Sequence, residues 1–265
     1  MLIATDLDGT LVPKDSTTLS PYCADVLRRV DRADVPVVFV TGRPLRWMTG
    51  FWPHVGRHGM AIVSNGAIAY DVHGADVIEF AGIEPAPGLD LVAAITEAVP
   101  GVVFAIECLD GIRRDPAFVD AYRVPDGSVR GVLADIWDVP AVKVLVRHER
   151  MNHETFRDHV IEAVGDRATA TWSVPGLVEI SAKDVTKASA LRTLCDRLGV
   201  SASEVVAFGD MPNDIPMLAW AGTSYAMEDA HESAIAVADH VAPRCEDDGV
   251  ARVLESILAG EPSPS

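Results

Sequence analysis

Basic residues are scarce in this chain: 22 lysines and arginines stand against 39 aspartates and glutamates, for a formal net charge of -17. A long polyanion would meet repulsion instead of the counterion-releasing basic face that DNA or RNA binding needs, so no nucleic-acid partner is expected. A phosphate ester could still bind if a metal ion and a few placed cations reversed the repulsion locally. Long apolar runs are missing too, and no stretch approaches the ~18 residues of a membrane-spanning helix. Met1-Leu2-Ile3-Ala4-Thr5 stops at Asp6 with no basic segment before it, unlike a secretion signal. There are 4 cysteines, Cys23, Cys108, Cys195 and Cys245, with no C-x-x-C pair and no zinc-ligand spacing. That usage predicts reduced, mostly buried thiols and a cytoplasmic location. Aromatics make up 6% of the chain, yet hydrophobic residues reach 49%, too apolar for disorder. Without a G-x-G-x-x-G, a P-loop or an H-E-x-x-H, dinucleotide, P-loop nucleotide and zincin chemistries lack support.

What is present is an alternation of short β-branched runs and amphipathic stretches. Runs at Leu2 to Thr5, Val35 to Thr41, Ala61 to Ser64, Val205 to Phe208 and Asp239 to Ala242 read as buried parallel strands. Pro21 to Ala33, Thr186 to Leu198, Ile215 to Ala221 and Val250 to Leu258 read as helices. The alternation predicts an α/β fold with a doubly wound parallel sheet. Residues 82–183 break the rhythm over far more than a βα loop's usual few residues, so they predict a folded α/β insertion in a core of 1–81 and 184–265. Helices are expected there at Leu89 to Ala98 and Asn152 to Val164. Strands are expected at Val102 to Glu107, Val142 to Arg147, Ala168 to Trp172 and Leu177 to Ile180. Gly82 to Gly88 and Ser181 to Asp184 read as hinges, and Gly260 to Ser265 as a frayed tail.

Polar residues cluster where these strands end, which is where open α/β sheets bind ligands. Asp6-Leu7-Asp8-Gly9-Thr10 follows the first strand. Alone it could be an acidic turn or a calcium loop, although an EF-hand would need Glu where Thr17 stands. Val40-Thr41-Gly42-Arg43 closes the second strand, and Thr41 alone could be a helix cap. Ser64-Asn65-Gly66 closes the third and reads equally as a tight turn. Lys187 taken singly is a solvated surface charge. Gly209-Asp210-Met211-Pro212-Asn213-Asp214 adds two carboxylates and an amide after a fourth core strand.

In order and spacing these blocks resemble the four motifs of the haloacid dehalogenase superfamily, and in particular its Cof-like subclass IIB phosphatases. Asp6-x-Asp8-x-Thr10 is similar to motif one, Thr41 within Val-Thr-Gly-Arg to motif two, Lys187 to motif three, and Gly209-Asp210-x-x-Asn213-Asp214 to motif four. Ser64-Asn65-Gly66-Ala67 and Ala226-Met227-Glu228-Asp229-Ala230 match further blocks of the subclass. Ala188 departs from the glycine that commonly follows the motif-three lysine.

The resemblance implies a Rossmann-like core with an inserted cap and a Mg2+-dependent phosphatase for a small phosphorylated metabolite. Asp6 would be the nucleophile and Asp8 the acid and base, with Thr41, Gly42, Asn65, Lys187 and Asn213 around the phosphate. Mg2+ would be held by Asp6, the backbone carbonyl of Asp8 and Asp210, with Asp214 orienting its waters or Lys187. An acid/base at Asp8 is what distinguishes such phosphatases from transport ATPases, which carry threonine there. A phosphomutase or other phosphotransferase uses the same pair, and a catalytically silent sugar-phosphate-binding protein could keep the site for binding alone. Within the insertion, Arg113, Arg114, Arg123, Lys143 and Arg147 could meet an anionic or sugar group, though each reads more simply as a surface charge. Trp137 and Trp172 read as core packing.

Overall fold

The computed structural model describes residues 1–14, 16–119 and 128–260. The expected tail beyond Gly260 and the cation Arg123 lie outside the described residues. Two compact units form, one from Met1–Glu79 with Thr186–Ser265 and the other from Phe80–Val185. The chain begins with β1 (Leu2–Thr5), α1 (Pro21–Arg32), β2 (Val37–Val40), β3 (Met60–Val63), β4 (Ile68–Asp71) and β5 (Asp76–Phe80). The inserted stretch continues with α2 (Pro85–Ala98), β6 (Val103–Cys108), β7 (Gly111–Arg114), β8 (Val129–Arg130) and α3 (Leu133–Ile136), then β9 (Ala141–Arg147), α4 (His153–Val164), β10 (Ala168–Thr171) and β11 (Leu177–Ala182). The return to the first unit adds α5 (Lys187–Leu198), β12 (Val205–Gly209), α6 (Ile215–Trp220), β13 (Thr223–Met227), α7 (Glu232–Ile235), β14 (His240–Ala242) and α8 (Gly249–Ala259).

The first unit is built on a sheet of order β14-β13-β12-β1-β2-β3-β4-β5. From β14 to β3 every pairing is parallel, while β4 runs antiparallel to β3. Every residue of β1, β2 and β12 is buried, as strands covered on both faces must be. On one face Leu2, Ala4, Val38, Val40, Val205 and Ala207 pack with Leu191 and Leu194 of α5 and Met217 and Leu218 of α6. The intervening Ile3 and Phe39 point the other way, because side chains alternate along a strand. The parallel α/β fold is therefore the one the sequence predicts, with three additions. β4, β5 and β13 were not expected as strands; β5 is only partly buried, so its apolar periodicity is weak.

The second unit holds a sheet of order β10-β11-β9-β6-β7-β8, antiparallel except between β7 and β8. One of its faces, carrying Phe104, Ile106, Val144, Val146, Val178 and Ile180, packs with Leu91 and Ile95 of α2 and Phe156, Val160 and Val164 of α4. The expected hinge from Gly82 to Gly88 is corrected: α2 begins inside it at Pro85, a position where the missing N–H costs nothing and the fixed φ suits a helix. Two of the expected surface cations are also corrected. Arg113 is buried between Asp110 (2.8 and 2.9 Å) and Asp138 (2.9 Å), and Lys143 is buried in an ion pair with Glu179. Glu179 accepts a further hydrogen bond from Ser173 Oγ at 3.0 Å. Arg114 donates to Ser128 Oγ at 3.0 Å, and Arg147 lies over the Phe118 ring. Trp137 is buried in the core, as expected. No helix among the described residues is long and apolar enough to cross a membrane, and all four cysteines are free and buried.

Candidate active site

Four strands that lie side by side and run the same way, β12, β1, β2 and β3, must deliver their carboxyl ends to one edge of the sheet. The next residues in each case are polar: Asp210 after β12, Asp6 after β1, Thr41 after β2 and Ser64-Asn65 after β3. Asp6 is tied in place by its N–H to the carbonyl of Phe208 at 3.0 Å, and Thr41 by its N–H to the carbonyl of Ile62 at 2.9 Å.

Lys187 reaches this edge from the first turn of α5. Its Nζ lies 2.7 Å from Oδ1 of Asp6 and 2.6 Å from Oδ1 of Asp214. At 1% exposure Lys187 is buried, unlike the solvated surface charge that a lysine taken singly suggests. Two neighbouring loops make the approach possible. Gly66 has φ 105° and a Cβ there would stand 2.2 Å from the carbonyl oxygen of Thr186, the residue that caps α5. Gly9, at φ 81°, likewise has no room for a Cβ, which would sit 2.4 Å from Oδ2 of Asp210.

Asp6, Asp210 and Asp214 each present a carboxylate oxygen within 4.8 Å of the others, all three buried. Asp214 is spoken for: Oδ1 takes Lys187 and Oδ2 accepts the N–H groups of Asp210 and Met211 at 3.1 and 3.0 Å. Asp210 accepts the Thr10 hydroxyl through Oδ1 at 3.0 Å and faces Lys14 through Oδ2 at 3.5 Å. Burial raises the Asp6 pKa well above the usual carboxylate range; Lys187 pulls it back, while Asp214, Asp210 and Asp8 push it further up. Burial likewise raises Asp210 to about 6, with Asp214 adding to the effect. For Lys187 burial works the other way, but Asp214 and Asp6 outweigh it and raise its pKa above that of an ordinary lysine. Three buried carboxylates around one buried ammonium leave negative charge uncompensated, and hard oxygen donors of this kind suit a divalent cation such as Mg2+.

Asp8 is placed apart from this triad. Its carboxylate faces Arg43, with Nε at 2.7 Å and Nη2 at 2.5 Å. Thr41 is fully buried, and its Oγ1 accepts the Arg43 N–H at 3.0 Å, leaving the hydroxyl proton to donate elsewhere. The loop after β3 turns through two left-handed residues, Ser64 and Asn65, before Gly66. There Asn65 Oδ1 accepts from Asn213 Nδ2 at 3.1 Å and would also lie 2.9 Å from a Cβ at Gly42. Every expected site residue is thus at this edge: Asp6, Lys187, Asp210 and Asp214 as one cluster, Asn65, Asn213 and Gly42 as another, Thr41 at the end of β2, and Asp8 beside Arg43. Three more were not assigned roles from sequence. Arg43 and Thr10 sit inside the recognised blocks, and their position there was the available signal. Ser64 is the third, its buried Oγ without a protein partner among the described residues, as is Oδ1 of Asn213.

A family model for haloacid dehalogenase-like hydrolases matches residues 3–254, nearly the whole chain and all of these blocks. The chain belongs to the haloacid dehalogenase-like hydrolases. Among curated relatives in this family, it is 26% identical to a 5-amino-6-(5-phospho-D-ribitylamino)uracil phosphatase of Bacillus subtilis, over 97% of each chain. It is 28% identical to a pyridoxal phosphate phosphatase of Escherichia coli, over 97% of this chain and 98% of that one. Among solved structures, a haloacid dehalogenase subclass IIB sugar phosphatase shares the fold at a TM-score of 0.81 and 21% identity, covering 97% of this chain and 98% of that one. The resemblance read from the motifs is therefore correct, and this haloacid dehalogenase-like chain is an enzyme of the phosphoric monoester hydrolase class.

Proposed function

We propose that this enzyme hydrolyses small phosphorylated metabolites with Mg2+, carrying the phosphoryl group transiently on Asp6. The observation that carries the reading is the buried contact of Asp6 with Lys187, set beside Asp210 and Asp214 at one sheet edge. A Mg2+ held by Asp6, Asp210 and the backbone carbonyl of Asp8, with Asp214 behind them, would neutralise the nonbridging phosphate oxygens.

An oxygen of the Asp6 carboxylate attacks phosphorus as the bond to the ester oxygen breaks, and Asp8 gives that departing oxygen a proton. Water then attacks the same phosphorus, yields its proton to Asp8, and the Asp6–phosphorus bond breaks to release inorganic phosphate. Lys187 lends positive charge to the oxygens throughout. Thr41, the Gly42 N–H, Asn65 and Asn213 lie along the same edge and serve as phosphate donors. The named relatives act on phosphomonoesters with unlike frameworks, one a ribitylaminouracil and one a pyridoxal. Their common element is a small molecule with one terminal phosphate, and that is the substrate class assigned here. Substrate choice is assigned to the unit Phe80–Val185, and four buried free cysteines suit a reducing, cytoplasmic setting.

The test is phosphate release across a panel of metabolite monoesters, with Mg2+ and after exhaustive chelation. The proposal expects turnover of at least one member with Mg2+ and none without. A panel left untouched, or full activity without metal, contradicts it.

A further inference from the structure

Arg43 has no part in the chemistry described so far, yet it is a firmly anchored charge at the sheet edge. Its side chain is 8% exposed, whereas that of Asp8 is 35% exposed. Nε donates to one Asp8 oxygen at 2.7 Å and Nη2 to the other at 2.5 Å, a fork that fixes both oxygens of a carboxylate together. Nη2 also donates to the carbonyl oxygen of Ser16 at 2.7 Å. The guanidinium carbon sits 4.8 Å from the centroid of Phe51, a fully buried ring. Its backbone is equally tied, its N–H donating to Thr41 Oγ1 at 3.0 Å and its carbonyl accepting the Ser64 N–H at 2.9 Å.

The guanidinium is therefore held by backbone, ring and carbonyl independently of Asp8, and Asp8 takes its orientation from it. A half-exposed carboxylate on a glycine-turned loop would otherwise sample several rotamers. General acid and base groups lose effect when displaced by about an ångström.

We propose that Arg43 is a positioning residue that fixes the Asp8 carboxylate for proton transfer. The inference rests on the aspartyl-phosphate reading above. Arg43 exchanges no proton in either half-reaction, since a guanidinium stays charged. Its absence should slow the step that depends most on Asp8, the activation of water against the phosphoenzyme. Formation of phosphoenzyme from a substrate with a good leaving group should be spared.

The experiment uses the full chain with p-nitrophenyl phosphate and Mg2+, comparing Arg43→Met, Arg43→Lys, Asp8→Asn and the Asp8→Asn/Arg43→Met double variant. Steady-state turnover is read beside rapid-quench intact mass. Both Arg43 variants should lose roughly 10- to 100-fold in turnover, with KM falling alongside so that kcat/KM stays near wild type, and should accumulate one phosphoryl group per chain. Lys keeps the charge but not the fork, so it should not rescue. The double variant should turn over no more slowly than Asp8→Asn alone. The proposal is overturned if Arg43→Lys restores turnover, if the phosphorylation burst disappears with a raised KM, or if the losses of the single variants multiply in the double. Should Arg43→Met fail to fold, Arg43→Lys carries the same comparison. If Asp8→Asn accumulates no phosphoenzyme, the covalent reading falls, and the role of Arg43 with it.

Discussion

Nζ of Lys187 lies 2.7 Å from Oδ1 of Asp6, and neither side chain is more than 7% exposed. Lys187 also meets Asp214 at 2.6 Å, so removing its charge strands two buried carboxylates away from water. Lys187→Met should lower the stability of the metal-free protein by about 3–5 kcal/mol. It should also cost about 10²–10³ in kcat, through loss of a preorganised cation at the phosphate. Urea titration and steady-state kinetics with Mg2+ check both, and wild-type kcat in this variant would remove Lys187 from the chemistry.

Asp210 gives the site a pH signature. Its folded pKa is raised to about 6 by burial and by Asp214, so between about pH 4 and pH 6 the folded chain holds a proton that the unfolded chain has released. In the absence of metal this term lowers stability as pH rises across that window, by an amount of order 1–3 kcal/mol, and leaves it low above. Asp6 acts in the same direction. Asp210→Asn should therefore melt higher than wild type at pH 7 in EDTA, with the gap closing toward pH 4. Mg2+ should stabilise the wild type at pH 7 and far less at pH 4, where the site is protonated. A gap that widens on acidification contradicts the assignment.

The left-handed turn at Gly66 predicts a stability loss coupled to activity. Gly66→Ala must strain φ 105° and drive a Cβ against the Thr186 carbonyl, at the base of the helix that carries Lys187. We expect a cost of about 1–3 kcal/mol together with at least about 10-fold lower kcat. Gly199→Ala, at φ 67° with open space around it, should cost some stability and leave kcat alone. Equal kcat in both variants would show that the turn does not position Lys187.

Much of this architecture was legible because its parts are local. β1, β2, β3 and β12 are short apolar runs, and the residues that end them are polar in ways that turns alone rarely require. β4, which runs antiparallel to β3, and β5 were not, since Ile68–Asp71 and Asp76–Phe80 carry too few buried residues for a clear period. β7 ends in two arginines, Arg113 and Arg114, which read as surface charges until Asp110 and Asp138 are seen to neutralise the first. Lys187 was placed at the phosphate by the motif match, but its burial depends on loops from distant strands, which no local propensity records. Arg43 shows the same limit, because its partners Asp8, Ser16 and Phe51 are brought together only by the fold.

The central claim, that phosphate passes through Asp6, is tested most directly by intact mass spectrometry after rapid quench of Asp8→Asn with p-nitrophenyl phosphate. A phenolate departs with little protonation, so this variant should still phosphorylate while losing about 10²- to 10⁴-fold in turnover. The account predicts one added phosphoryl group per chain, mapped to Asp6 and absent from Asp6→Asn. A phosphoryl group on a serine or histidine, or wild-type turnover in Asp6→Asn, would contradict it.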